Sequence, residues 1–299
     1  MGTDGIPRAQ AAADPGGQRG AGGGHVSSGA NESTSQPSLR SHRPAGREGA
    51  PSGLRALTTL SLAELRLFLR EPATAIFSFG FPLVLLVVLA SVFGGRSALR
   101  FGGVTPGEYY LVSYLGVVIG AIGLVSLPVQ VATYRERGLF RRYRAAGVRT
   151  WVVLAAQVAT SLAVALVAAA LLVGAGAFLY GDTGPAHPLG VAATFLVGGA
   201  GFAAVGILLG LVLPGPRAAQ AVGLVVFFPF WLLSGAGPPP GLLHGPLRHV
   251  ASALPLTYLV NSLRAPWSGV GADPVALVIL AAGAVVAGGT ALKLLHRPD

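Results

Sequence analysis

Long apolar stretches alternate with short polar ones along the chain from about residue 73 onwards. Each stretch is near or above the ~20 residues that an α-helix needs to cross a bilayer, so the pattern predicts six transmembrane helices. The first five contain no charged residue, and the sixth has only Lys293 near its end. The predicted spans are Ala73–Phe93, Tyr109–Thr133, Trp151–Tyr180, Leu189–Leu213, Ala218–Gly237 and Val275–Leu295.

The segment 54–71, which precedes the first span, has a two-sided pattern. At 100° per residue its leucines and Phe68 fall on one side, and Arg55, Arg66 and Arg70 fall together on another. This pattern predicts an amphipathic helix that lies in the membrane interface. A simple extension of the first span is the alternative, although Pro72 favours a break between the two helices.

Two further segments stand out from the spans. Residues 1–53 contain 12 Gly, 5 Pro and 7 Ser and no aromatic residue, which predicts a disordered tail because so little apolar surface can be buried. The segment from Gly237 to Asp273 begins with three prolines and then alternates apolar residues with helix breakers. Non-helical backbone at membrane depth must be buried in protein, so we expect two short re-entrant helices between spans 5 and 6.

Composition supports a membrane protein and narrows its class. Hydrophobic residues make up 52% of the 299 residues and charged ones only 11%, with a mean hydropathy of +0.65. A soluble domain carries roughly 25% charged residues, so a soluble enzyme and a disordered or fibrous chain are excluded. The net charge of +10 comes from arginines that lie between apolar runs. This distribution favours an anionic membrane surface over nucleic acid, which requires a dense basic face.

The distribution of basic residues predicts the orientation in the membrane. With the N-terminus in the cytoplasm, the inner segments carry 17 Lys and Arg residues and the outer ones only 4. Without the tail the ratio is still 12 to 4. The positive-inside rule therefore predicts that both termini are cytoplasmic.

Energy-coupling and catalytic motifs are missing from the sequence. No histidine or acidic residue lies in the middle of a predicted span, which argues against a proton-driven carrier, while sodium coupling through backbone carbonyls stays open. The sequence has no cysteine, no G-x-S-x-G, no H-E-x-x-H and no Walker A loop. We therefore expect no catalytic residue, no metal or cofactor site, and no ATP site in this chain.

The loop between spans 2 and 3 is the most distinctive polar segment. It reads TYRERGLFRRYRAAGVRT, with Glu136 as its one acid among six arginines and with Phe140 and Tyr143 as apolar anchors. It is either an ordinary positively charged inner loop or a helix that docks into a cleft on a soluble partner. Pairs of small residues, such as Gly116 with Gly120 and Gly206 with Gly210, allow helices to approach closely, either within the subunit or in a dimer.

Three ordered stretches resemble the type-2 ABC transporter permeases, in particular the multidrug and antibiotic export permeases of bacteria. They are LRLFLREPATAIFSFGFPLVLLVVLASVFGG from Leu65, RERGLFRRYRAAGV from Arg135, and FFPFWLLSGAGPPPGLLHGPLRHVASALPLTYLVNSLR from Phe227. They are similar to the family's elbow helix with its first span, its coupling segment, and its fifth span with re-entrant helices. With the six spans, the resemblance covers about residues 54–297.

The resemblance implies an all-α integral membrane fold with an elbow helix (54–71), six spans and cytoplasmic termini, within residues 54–299. It implies a permease subunit of an ATP-driven exporter, in the bacterial inner (plasma) membrane, that moves an amphiphilic or hydrophobic drug, antibiotic, lipid or glycan. The implied partners are a separate ABC ATPase, which binds ATP and magnesium, and a second permease subunit, identical or different. An ATP-independent carrier or a structural membrane subunit is the alternative. The resemblance assigns ATPase coupling to Arg135, Glu136, Arg137, Gly138, Phe140 and Arg141, and the elbow helix to Arg55, Glu64, Arg66 and Arg70.

Overall fold

The structure is a computed structural model that describes residues 72–93, 101, 103–181, 184–238 and 245–295. The predicted tail (1–53) and the predicted elbow helix (54–71) lie outside the described residues, and so do Arg55, Glu64, Arg66 and Arg70.

The described residues form ten α-helices and one π-helix and contain no strand. The helices are α1 (Pro72–Phe93), α2 (Pro106–Ala121), the π-helix (Ile122–Ser126), α3 (Leu127–Glu136), α4 (Leu139–Ala145), α5 (Thr150–Tyr180), α6 (Pro188–Val212), α7 (Pro216–Leu233), α8 (Pro246–Ala253), α9 (Pro255–Trp267) and α10 (Pro274–Leu295).

Five of the described helices are long and apolar enough to cross a membrane. One is the continuous helix made of α2, the π-helix and α3; the others are α5, α6, α7 and α10. They match predicted spans 2 to 6 to within a few residues. The first predicted span is α1, whose described apolar part is the shorter stretch Gly80–Phe93. A sixth crossing and the cytoplasmic placement of the termini therefore stay predictions.

The fifth span ends earlier than predicted, at Leu233 instead of Gly237. The hydroxyl of Ser234 donates to the carbonyl of Trp231 at 3.0 Å, and Gly235 has a φ of +83°. A left-handed glycine directly after the last turn is a common helix terminator. Hydropathy alone cannot detect this stop, because Gly235, Ala236 and Gly237 are as compatible with a span as with a turn.

Glycines bring the π-helix, α6 and α7 into backbone contact. Pro128 cannot donate a hydrogen bond to the carbonyl four residues earlier, that of Leu124, and a β-carbon at Gly223 of α7 would clash with this same carbonyl. A β-carbon at Gly206 of α6 would likewise clash with the carbonyl of Gly123. Of the two interpretations of the small-residue pairs, the structure shows packing within the subunit at these positions.

We expect Gly206→Ala to destabilise the protein, because its new methyl group would meet backbone and not a movable side chain. Overpacking of this kind costs about 1–3 kcal/mol, which thermal unfolding in detergent will show as a lower midpoint. Gly283→Ala in α10 is the matched control, since no atom lies within 4 Å of its β-carbon position. Equal midpoints for the two variants would contradict the close packing of α6.

The segment between spans 5 and 6 contains α8 and α9, in agreement with the two predicted short helices. Leu256, near the start of α9, packs at Gly120, close to the middle of the helix 106–136, and Val260 packs at Gly116, one turn nearer its start. On a neighbouring face, α9 packs through Leu259 onto Gly198 of α6. Thus α9 runs from the middle of the bundle back to the end where α2 begins, between α2 and α6.

Candidate functional site

The arginine-rich segment after α3 folds into a turn and a short helix. Gly138 has a φ of +65° and directly precedes α4, and Gly147, with a φ of +82°, follows α4. Both conformations are rare for residues that carry a β-carbon. The two glycines therefore set where α4 begins and ends, and the chain returns into the bundle as α5 at Thr150.

An aromatic cluster anchors α4 to the bundle. Phe140 is 8% exposed and packs with Leu127, Val131, Val153, Leu154 and Ala203. The ring of Tyr134 lies 6.0 Å from that of Phe140 and is stacked on Tyr143 at 6.5 Å, with an interplanar angle of 14°. Because both anchors of α4 are held by α3 and its neighbours, the helix has a fixed position on the end of the bundle.

The outer side of this segment presents positive charge. Its exposed arginines are collectively called the arginine surface and are Arg137, Arg141, Arg142, Arg144 and Arg149. Glu136 is exposed beside them, and within the described residues its carboxylate makes no hydrogen bond or ion pair. Of the residues that the resemblance assigns to coupling, Glu136, Arg137 and Arg141 are thus exposed together. Gly138 and Phe140 shape and anchor the segment.

Arg135 has a different environment from the other arginines of this segment. It is partly buried, and its two terminal nitrogens donate to the carbonyls of Leu211 and Leu213 at the end of α6. The last carbonyls of a helix have no partner within the helix, and a cation there also interacts favourably with the helix dipole. Arg135 therefore caps the C-terminal end of α6. Local sequence patterns do not reveal this role, because Arg135 and Leu211 are 76 residues apart.

A second buried polar cluster lies at the opposite end of the bundle, around Arg264 at the end of α9. One terminal nitrogen donates to the hydroxyl of Ser113 at 2.5 Å and to the carbonyl of Gly235 at 3.1 Å, and the other donates to the side-chain oxygen of Asn261 at 3.2 Å. The guanidinium carbon lies 3.8 Å from the centre of the Tyr109 ring. We call this arrangement the Arg264 clamp.

The Arg264 clamp joins three segments that are distant in the sequence. Ser113 and Tyr109 belong to α2, Gly235 to the turn after α7, and Arg264 to α9. The Nε atom of Arg264 is buried without a hydrogen-bond partner among the described residues. In the sequence, Arg264 stands out only as the last residue of the stretch that begins at Phe227 and as one of the four basic residues on the predicted outer side. No signal in the sequence identifies Ser113 or Gly235 as its partners.

Comparison with the sequence models of known families gives a match. The sequence model of a family described as ABC-2 type transporter matches residues 55–266. This range includes the described helices from α1 through most of α9, and hence the arginine surface and the Arg264 clamp. No curated protein matches the chain.

Proposed function

Because the chain belongs to the ABC-2 type transporter family and is a multi-pass membrane permease component, we propose that it is the permease subunit of an ATP-driven exporter in a bacterial inner membrane. In this proposal a separate ABC ATPase docks at the arginine surface from the cytoplasm, and a second permease subunit completes the pathway. The exported substrate is an amphiphilic or hydrophobic molecule of the drug, antibiotic, lipid or glycan class.

The observation that carries the proposal is the fixed position of α4. A docking helix must transmit force, and α4 is held to the bundle by Phe140 and Tyr143 while Arg141, Arg142 and Arg144 remain exposed. It directly follows α3, which belongs to the same continuous helix as the π-helix and α2. A displacement of α4 would therefore be transmitted into the membrane-spanning part through the continuous helix that ends in α3. It would also be transmitted to the end of α6, to which Arg135 is hydrogen-bonded.

Exposed apolar faces leave room for a second permease subunit. Large side chains on α1 and α7 remain exposed in this chain, among them Val84, Val92, Val225 and Phe228. Lipid covers such faces equally well, so these side chains are compatible with a dimer without specifying one. A dimer of identical or of different chains is part of the proposal.

The proposal is tested by purifying the tagged full chain from native membranes in mild detergent and assaying the eluate for ATPase activity. A co-eluting ATPase that is absent from untagged membranes is the expected result. The alternative is an ATP-independent carrier or structural subunit. For the carrier, the purified chain alone would transport a substrate into liposomes when driven by an ion gradient. That outcome, without an associated ATPase in any of several detergents, would overturn the exporter proposal.

A further inference from the structure

A lateral groove opens on the side of the bundle between α5, α6 and α10. Its volume is about 480 Å³. Its floor on α6 is formed by small residues, Ala200 and Ala204, together with Ile207. One wall is formed by α5 from Trp151 to Leu162, and the other by Gly288, Ala291 and Leu292 of α10.

The groove has the length of one membrane leaflet. From Trp151 to Leu162 the helix rises roughly 16 Å at 1.5 Å per residue, which is about half of the ~30 Å hydrocarbon core. At its inner limit Leu162 packs directly on Gly199, which closes the groove near the middle of the bundle. At the other limit Trp151, 50% exposed, lies one residue after the first residue of α5, where indole rings are favoured at a membrane interface.

Two exposed basic residues are close in the sequence to residues that line the groove. Exposed Arg149 precedes Trp151 by two residues, and exposed Lys293 directly follows Leu292. Glu136 is the one acidic residue that the described part of the chain places at this end of the bundle. An apolar groove about one leaflet long, with two basic residues close to its lining at one end, matches a phospholipid that has an anionic headgroup.

We propose that this groove binds an acyl chain of an anionic phospholipid from the leaflet on the arginine-rich side, with Arg149 and Lys293 interacting with the phosphate. The site shares Leu154 with the cluster that anchors α4 and Arg149 with the arginine surface, and it lies away from the Arg264 clamp. The reconstituted chain carries neither the transported substrate nor the ATPase, so lipid binding at this site is tested independently of the exporter proposal.

Quenching of Trp151 fluorescence tests this site. The full chain is reconstituted in vesicles of unbrominated phosphatidylcholine. These vesicles contain increasing fractions of a lipid brominated near the headgroup end of its acyl chain, either phosphatidylglycerol or phosphatidylcholine. The signal of Trp151→Phe is subtracted to remove the contributions of Trp231 and Trp267. We expect brominated phosphatidylglycerol to quench Trp151 at a lower mole fraction than brominated phosphatidylcholine. Equal quenching by the two lipids would overturn the proposal.

Substitution of the two basic residues tests the headgroup contacts separately from the acyl-chain contacts. Each cation near a membrane surface favours an anionic lipid by about fivefold, so Arg149→Gln with Lys293→Gln should lower the preference by roughly 25-fold. Arg217→Gln, a change at an exposed arginine at the start of α7, is the control and should leave the preference intact. A preference that persists in the double variant would overturn the assigned headgroup contacts.

Filling the groove tests the acyl chain itself. Ala200 is exposed on the groove floor, so Ala200→Phe adds bulk without displacing buried atoms and should reduce the quenching of Trp151 by both brominated lipids. Leu196→Phe, one turn away on the same helix and outside the groove, is the matched control. Unchanged quenching in Ala200→Phe would mean that no acyl chain occupies the groove, as when a second copy of the chain covers it.

Discussion

Replacing Glu136 with arginine is expected to abolish the ATPase activity that co-purifies with the chain while leaving the chain inserted and folded. Glu136 is exposed and makes no hydrogen bond or ion pair with another described residue, so its replacement removes no polar contact with the described part of the chain. At a docked interface the situation differs, because loss of one member of a desolvated charge pair costs about 2–5 kcal/mol. That cost weakens docking by roughly 30-fold or more.

The matched control for Glu136→Arg is Arg248→Glu, which reverses an exposed charge on α8 near the other end of the bundle. Both changes increase the excess of basic residues on the predicted inner side, so neither should invert the topology. ATPase activity co-eluting with the tagged chain is the measurement, and the elution volume of the permease checks its folding. Full activity in Glu136→Arg would remove Glu136 from the coupling surface.

Loss of the Arg264 guanidinium is expected to be the most destabilising single change at the end of the bundle opposite the arginine surface. Arg264→Gln removes the donors to Ser113 and Gly235. The hydroxyl of Ser113 still donates to the carbonyl of Tyr109, whereas the carbonyl of Gly235 is left buried without this donor. Each unsatisfied buried group costs about 1–3 kcal/mol, and the lost contact with the Tyr109 ring adds about 0.5–2 kcal/mol. The free energy of unfolding should therefore fall by roughly 1.5–5 kcal/mol.

Thermal unfolding in detergent measures this loss, with Arg248→Gln as the control because that arginine is exposed. Arg264→Lys should be nearly as unstable as the glutamine variant, since a single ammonium cannot reproduce a planar fork of donors. A cycle that combines Arg264→Gln with Ser113→Ala isolates the contact between these two residues. Additive effects in the cycle would show that the 2.5 Å contact does not couple α9 to α2.

Local patterns predict the helices well, and they predict contacts between them poorly. The stretch from Trp151 to Tyr180 is apolar throughout, and the structure forms α5 over Thr150–Tyr180. The end of α7 was predicted four residues too late, since only the geometry of Ser234 and Gly235 reveals the stop. The sequence pattern identifies the arginine-rich segment, but it does not show that Arg135 is partly buried while Arg141 is exposed.

The apolar helices, their limits to within a few residues and the family follow from the amino-acid sequence, because hydropathy, helix breakers and ordered motifs are properties of neighbouring residues. Only the folded chain shows which glycines form close contacts, which arginine caps the end of α6, and which groups bind Arg264. Those contacts join residues 76 and 151 positions apart. Their partners are backbone carbonyls and a hydroxyl, which are present throughout the chain and become specific only when folding brings them within hydrogen-bonding distance.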